Sequence, residues 1–191
     1  MPDRYHTITS RDPGIRWAVE EVYDRSFFWA RERPYWKRRS ESTRVEASPW
    51  ALDTRVGLAR ADLLTPIADA LSIILRERGI TQIAGYGYGS FLLMGALLRS
   101  ASGLTAGMIR ESRKQYGFRN RVEGALINDV PTVIVDDVVS SGRSALRAAA
   151  DLRIEGLNPV GVLAVYVYAG KRADLRLGAR DLTLDALATI T

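Results

Sequence analysis

Two nearly unbroken apolar runs, VPTVIVDD at residues 130–137 and PVGVLAVYVYAG at 159–170, constrain this chain more than any other feature. A strand with one wet face alternates polar and apolar side chains, so a run without alternation belongs to a strand covered on both faces. Between the two runs, SALRAAADLRIEG has helical spacing and stops at Gly156, which leaves room for a right-handed crossover to a parallel neighbour. The pattern repeats upstream. Leu63, Leu64, Ile67, Ala68, Leu71, Ile74 and Leu75 form one stripe within residues 59–78, closed by Gly79. TQIAG at 81–85 reads as a short strand, GYGYGS at 85–90 as a loop, FLLMGALLRSA as a helix and LTAGMIR at 104–110 as a strand. Residues 15–30 add a helix started by Pro13-Gly14, SPWALDTR at 48–55 a short strand, and His6 falls in a frayed start. The expected fold is α/β with a doubly wound, mainly parallel sheet. Residues 1–55 read as a helical and irregular segment and 56–191 as the α/β core, together one structural domain.

The chain has 191 residues, 47% of them apolar, enough for one full core. It contains no cysteine, which excludes a disulfide framework, a thiolate nucleophile and thiolate zinc sites. His6 is the single histidine, so a Ser-His-Asp triad or a histidine-ligated metal lacks its material, and any metal would be held by oxygens. The start MPDRYHTITSRDPG lacks the features of a signal peptide, and no stretch approaches the roughly 20 apolar residues of a membrane span. The expected location is the cytoplasm. With 27 basic and 22 acidic residues the net charge is +5, which suits nucleic acid and a phosphate-rich small molecule alike. WARERPYWKRR at 29–39 interleaves aromatic and basic residues, a pattern that fits base stacking with phosphate contacts, a substrate hood, or a charged helix at a dimer contact.

Ligands of open parallel sheets sit beyond the carboxyl ends of the strands. Residues 85–90, 111–124 and 136–144 occupy such ends. In the last, Val133, Ile134 and Val135 fix the strand and place Asp136 and Asp137 at its rim. Behind them Ser140, Ser141, Gly142 and Ser144 offer hydroxyls and approachable N–H groups at a helix N-terminus, where the dipole favours an anion. Carboxylates repel phosphate, so this pair needs another task, such as accepting hydrogen bonds from sugar hydroxyls or facing Mg²⁺. The plainer alternative is that Asp137 opens a turn and the serines cap a helix. Tyr86, Gly87, Tyr88, Gly89 and Ser90 form a second low-bulk segment whose N–H groups can approach an anion. Its glycine spacing does not fit a dinucleotide fingerprint.

VIVDDVVSSGRS resembles the phosphoribosyl-pyrophosphate (PRPP) signature of type I phosphoribosyltransferases, in which a buried strand leads to two acidic residues and a small hydroxyl-rich loop with glycine. The resemblance extends to the orotate phosphoribosyltransferase branch. MIRESRKQYGFRNRVEG at 108–124 is similar to that branch's catalytic loop, with Arg110, Lys114, Gly117, Glu123 and Gly124 in register. Residues 80–98 are similar to the segment that carries the pyrophosphate loop, and SPWALDTR to the stretch after the base-binding hood. Glu111 stands where the branch has a second basic residue, Tyr116 where it has histidine, Thr43 where a substrate-binding lysine falls, and Ala51 and Leu52 where aromatics pack on the base.

The resemblance implies a type I phosphoribosyltransferase fold with a small N-terminal hood. It implies a Mg²⁺-dependent glycosyltransferase of pyrimidine biosynthesis that moves ribose 5-phosphate from PRPP to orotate or another pyrimidine-like base and releases pyrophosphate. Asp136 and Asp137 would contact the ribose hydroxyls, and Val138, Val139, Ser140, Ser141, Gly142, Arg143 and Ser144 would bind PRPP. Lys114 and Arg110 would assist catalysis, Tyr86 to Ser90 would hold pyrophosphate, and Trp50 would meet the base. No direct side-chain metal ligands are assigned. A homodimer is implied, with loops shared between subunits. The alternative is a binding protein of the same fold that senses PRPP or a nucleotide and grips nucleic acid with its basic N-terminal stretch.

Overall fold

The computed structural model describes residues 6–29, 36–38, 45–47, 50–110 and 121–191. In chain order the first elements are β1 (His6–Ile8), α1 (Pro13–Ser26), β2 (Phe27–Trp29), β3 (Trp36–Arg38), β4 (Val45–Ala47) and β5 (Trp50–Leu52). There follow α2 (Arg55–Leu58), α3 (Ala61–Glu77), β6 (Gln82–Tyr86), α4 (Gly87–Ser100), β7 (Thr105–Ile109) and β8 (Val122–Gly124). The chain continues with β9 (Pro131–Val139), α5 (Arg143–Ile154), β10 (Asn158–Tyr168), a 3₁₀ turn at Ala169–Lys171, α6 (Ala173–Gly178) and β11 (Thr183–Ile190).

The main sheet runs β1-β11-β10-β9-β6-β7-β8. Its five inner strands are parallel, and β1 and β8 close the two edges antiparallel. β2 pairs with β5 and β3 with β4 in two small antiparallel ribbons. The unbroken run in β9 is explained by what covers it. Val133 and Val135 join a buried cluster with Val19 and Val22 of α1, Leu63, Ile67 and Leu71 of α3, and Leu93 and Leu97 of α4. Ile134 belongs to a second cluster with Ala145, Ala148, Ala149 and Leu152 of α5 and Leu177 of α6. Both faces are dry, so neither could carry polar residues. The small side chains of α5 let its backbone lie close to the sheet.

Local signals set the boundaries of α1. The Asp12 side chain accepts from the N–H groups of Gly14 and Ile15 at 2.8 and 3.0 Å, and Pro13 occupies the first turn, where its missing N–H costs nothing. Tyr166 of β10 has no exposed surface and donates its hydroxyl to the Val19 carbonyl at 2.6 Å, fastening α1 to the sheet.

Several elements differ from the sequence reading. The helix expected over 15–30 stops at Ser26, because Phe27, Phe28 and Trp29 favour a strand and pair with Leu52, Ala51 and Trp50. His6 does not fray; its strand hydrogen-bonds to β11. GYGYGS is not a loop: β6 runs to Tyr86 and α4 starts at once from Gly87, whose φ of 77° makes the sharp turn that glycine allows. β9 passes through both aspartates and ends only at Val139. The residues after 170, unassigned from sequence, supply α6 and β11, and Val122–Gly124 of the polar segment forms β8. Lys114, Glu111, Tyr116, Gly117 and Thr43 lie outside the described residues.

Leu163, 1% exposed in β10 and buried in the first cluster, reports on this core. Leu163→Ala should cost about 2–5 kcal/mol, read as a lower urea midpoint at unchanged slope.

Candidate active site

The carboxyl ends of β6 and β9 open into a cavity of about 380 Å³. Its walls are Arg55, residues 86–89 and residues 136–145. Two of the three expected segments therefore meet in one place. They meet because β6 and β9 are neighbours and each turns directly into a helix, α4 or α5, at the same edge.

The hydroxyl-rich half of the cavity is built at residues 140–145. Gly142 is left-handed, with φ 74°, and its carbonyl accepts from Leu146 N at 2.9 Å to start α5. No side chain caps that helix, so its first N–H groups stay directed at the cavity rim. A Cβ at 142 would meet Leu177 and Ala173 at 3.4 and 3.5 Å, so α6 sits against the turn. Arg176 of α6 also donates to the Ser141 carbonyl. Val138 and Val139 pack into the two opposite clusters, and with Ser140, Ser141, Arg143 and Ser144 they line the cavity.

The two aspartates have different surroundings. Asp136 is 6% exposed, buried rather than at the rim as the sequence suggested, because β9 continues past it. The Tyr86 hydroxyl donates to its Oδ2 at 2.6 Å, and its Oδ1 accepts from Asp137 N at 3.0 Å and lies 3.3 Å from Ser90 Oγ, whose hydroxyl donates at 2.6 Å to the Tyr86 carbonyl. Burial, reinforced by the neighbouring Asp137 charge, pushes the Asp136 carboxyl well above the usual carboxylate range. Burial and Asp136 likewise raise the Tyr86 phenol, which keeps its proton and remains a donor. Asp137 is half-buried and accepts from Thr54 Oγ1, a residue 83 positions away. A Cβ on Gly89 would fall on the Asp137 carboxyl group, so the first turn of α4 can pass there only as glycine.

Arg110 is not brought into this cavity. It follows β7, where the antiparallel pairing with β8 presents Glu123 to its guanidinium at 3.5 Å, and its carbonyl accepts from Arg121 Nη2 at 3.2 Å. It lines a second cavity of about 390 Å³ with Arg121, Arg147 and Asp151; Tyr86 and Ser144 border both. Arg121 is paired with Asp151 at 3.1 Å. Trp50 lies outside the first cavity's walls and stacks between Phe27 at 5.6 Å and Tyr168 at 5.7 Å. Ala51 and Leu52 are not bare of aromatic neighbours. Their ribbon partners are Phe28 and Phe27, and Phe27 also meets Trp29 edge-on at 5.2 Å. The only sequence signal of this column of rings is FFW at 27–29. Thr54 and Arg176 left no sequence signal, since each acts on a residue remote in the chain, and Arg55, paired with Asp53 at 2.6 Å, lines the cavity outside any motif.

No group of three or more carboxylate or imidazole side chains converges among the described residues. The oxygen donors that do line the cavity, Asp137 and the loop hydroxyls, fit Mg²⁺, which ordinarily takes one or two carboxylates together with substrate phosphates.

No family model matches the chain. It is 30% identical over 142 residues to the orotate phosphoribosyltransferase of Lactococcus lactis subsp. cremoris, an alignment covering 73% of this chain and 68% of that protein. The orotate phosphoribosyltransferase of Staphylococcus haemolyticus is 30% identical over 128 residues, 66% of this chain and 63% of its own length. The chain spans about three fifths of the length of the first curated relatives it matches. Among solved structures, Mycobacterium tuberculosis H37Rv orotate phosphoribosyltransferase in complex with PRPP superposes with a TM-score of 0.72 at 18% identity, covering 96% of this chain and 95% of that one.

The raised carboxyl of Asp136 has a defined sign in stability. The native state holds that proton more tightly than the unfolded chain, so the contribution is complete below the ordinary value of about 4 and is lost as pH rises through the folded value. In urea titrations from about pH 4 to about pH 8, the unaltered protein should lose stability relative to Asp136→Asn. A difference that stays constant over that range contradicts the burial argument.

Proposed function

The chain belongs to the type I phosphoribosyltransferase family, in its orotate phosphoribosyltransferase branch, and we propose that it transfers ribose 5-phosphate from PRPP to a pyrimidine-like base and releases pyrophosphate. One observation carries the proposal: a half-buried carboxylate, Asp137, stands in the same cavity as an uncapped helix N-terminus whose loop is rich in hydroxyls. The first suits ribose hydroxyls and the second suits a phosphate, and PRPP presents both a short distance apart.

In this reading the 5′-phosphate lies on the N–H groups of residues 140–144, and the ribose hydroxyls donate to Asp137. Asp136 stands behind, its oxygens taken by Tyr86, Ser90 and the Asp137 N–H. Breaking the bond from the anomeric carbon to pyrophosphate develops positive charge on the ribose and negative charge on the leaving group. The N–H groups of residues 87–89 face the leaving group, and Lys114 adds a cation to it. Magnesium, when bound, would neutralise the pyrophosphate oxygens. The base would enter beside the aromatic column of Trp50 and Tyr168. The proposal includes a homodimer in which residues such as Lys114 serve the neighbouring site, a role in pyrimidine biosynthesis, and a cytoplasmic location. No helix among the described residues is long and apolar enough to cross a membrane.

Incubation with PRPP, Mg²⁺ and a panel of bases, followed by pyrophosphate assay, tests the reading. Release with orotate or another pyrimidine-like base is expected, and chelation with EDTA should abolish it. PRPP binding without release for any base would leave a binding protein of the same fold instead. Lys114→Ala should lower turnover by roughly two or more orders of magnitude with PRPP affinity little changed, since a cation facing the leaving group acts mainly in the transition state.

A further inference from the structure

Thr54 occupies the position before α2 where a threonine ordinarily turns its hydroxyl onto the first N–H groups of the helix. Here it does not: no side-chain cap bond is made, and the hydroxyl goes to Asp137 Oδ2 instead. The residue is 2% exposed, so this hydroxyl has no water to fall back on. Asp137 is thereby held on two sides, by Thr54 and by the first turn of α4 at Gly89.

The segment around Thr54 is tied to α1. Asp53 N donates to the Ser26 carbonyl at 2.8 Å, and Gly57 N donates to Ser26 Oγ at 3.3 Å. A Cβ on Gly57 would meet the Val22 backbone at 2.8 Å, so α2 and α1 are in direct contact there. Four residues before Thr54, Trp50 is stacked on Tyr168 at the end of β10. The segment from Trp50 to Gly57 thus joins the aromatic column to the carboxylate and is held at Trp50, Asp53 and Gly57.

We propose that Thr54 is a positioning residue for donor binding: its hydroxyl orients the Asp137 carboxylate toward the ribose and ties that carboxylate to the strand that carries Trp50. The inference rests on the reading of the cavity as a PRPP site. A hydrogen bond to a charged acceptor is strong enough that its loss should weaken PRPP binding about tenfold or more.

The test is calorimetric titration of PRPP with Mg²⁺ into the unaltered protein, Thr54→Val and Thr54→Ser, with thermal unfolding run in parallel. Thr54→Val keeps the shape and removes the donor, and Thr54→Ser keeps the donor. The expected result is a Kd for PRPP raised about tenfold or more in Thr54→Val and within about threefold of the unaltered protein in Thr54→Ser. In turnover, the KM for PRPP should rise in Thr54→Val while kcat and the KM for the base change less than about threefold. Should Thr54→Val not fold, Thr54→Ala removes the hydroxyl without adding bulk and takes its place. Unchanged PRPP affinity in the folded Val or Ala variant overturns the proposal, and so does equal impairment in Thr54→Ser, which would assign the effect to packing. Absence of PRPP binding by the unaltered protein removes the donor-site reading, and the inference with it.

Discussion

Asp136 is a carboxylate inside the sheet, with Ala164 as its partner across the β9–β10 ladder and Ile134 two residues before it in the same strand. An ionised carboxylate placed there without partners would cost several kcal/mol. Burial answers that cost in part by favouring the protonated carboxyl, and its oxygens are partnered by a tyrosine hydroxyl from the end of β6, by the next main-chain N–H and by Ser90 of the first turn of α4. Much of the site follows from this. Tyr86 must end β6 at that height, α4 must begin without a connecting loop so that Ser90 arrives in reach, and Gly87 must make the turn. The buried aspartate therefore sets the geometry of the neighbouring segment as much as its own.

Asp137 has the opposite situation. It is half-buried, meets the cavity, and is braced by a threonine two residues after the end of β5. Adjacent carboxylates would repel one another if both were charged in the same surroundings. Here burial pushes the Asp136 carboxyl well above the usual carboxylate range, while Asp137 meets the cavity.

The doubly wound sheet was legible because its evidence is local. Uninterrupted runs such as residues 133–135 report two covered faces, and the helical stripe from Leu63 to Leu75 reports one. The acidic pair and the hydroxyl-rich turn were legible for the same reason, being contiguous. What escaped was the partnership between distant residues. No spacing links Thr54 to Asp137 or Arg176 to Ser141, and Arg110 looked available until its strand pairing delivered it to Glu123. Strand and helix limits erred where aromatics intervened, as at Phe27, or where a strand ran on into its polar residues, as in β9.

The α6 helix has only six residues, yet it touches the hydroxyl-rich turn twice, through Arg176 to the Ser141 carbonyl and through Leu177 beside Gly142. The turn is thus fastened from outside its own motif, by residues that follow it by about one whole strand and crossover. A graft of residues 133–144 onto another parallel sheet would carry the glycine and the hydroxyls but leave this clasp behind. The motif and its fastener are separable in sequence and inseparable in operation, so a chain could keep the signature intact and still lose the cradle through substitutions in the α6 segment.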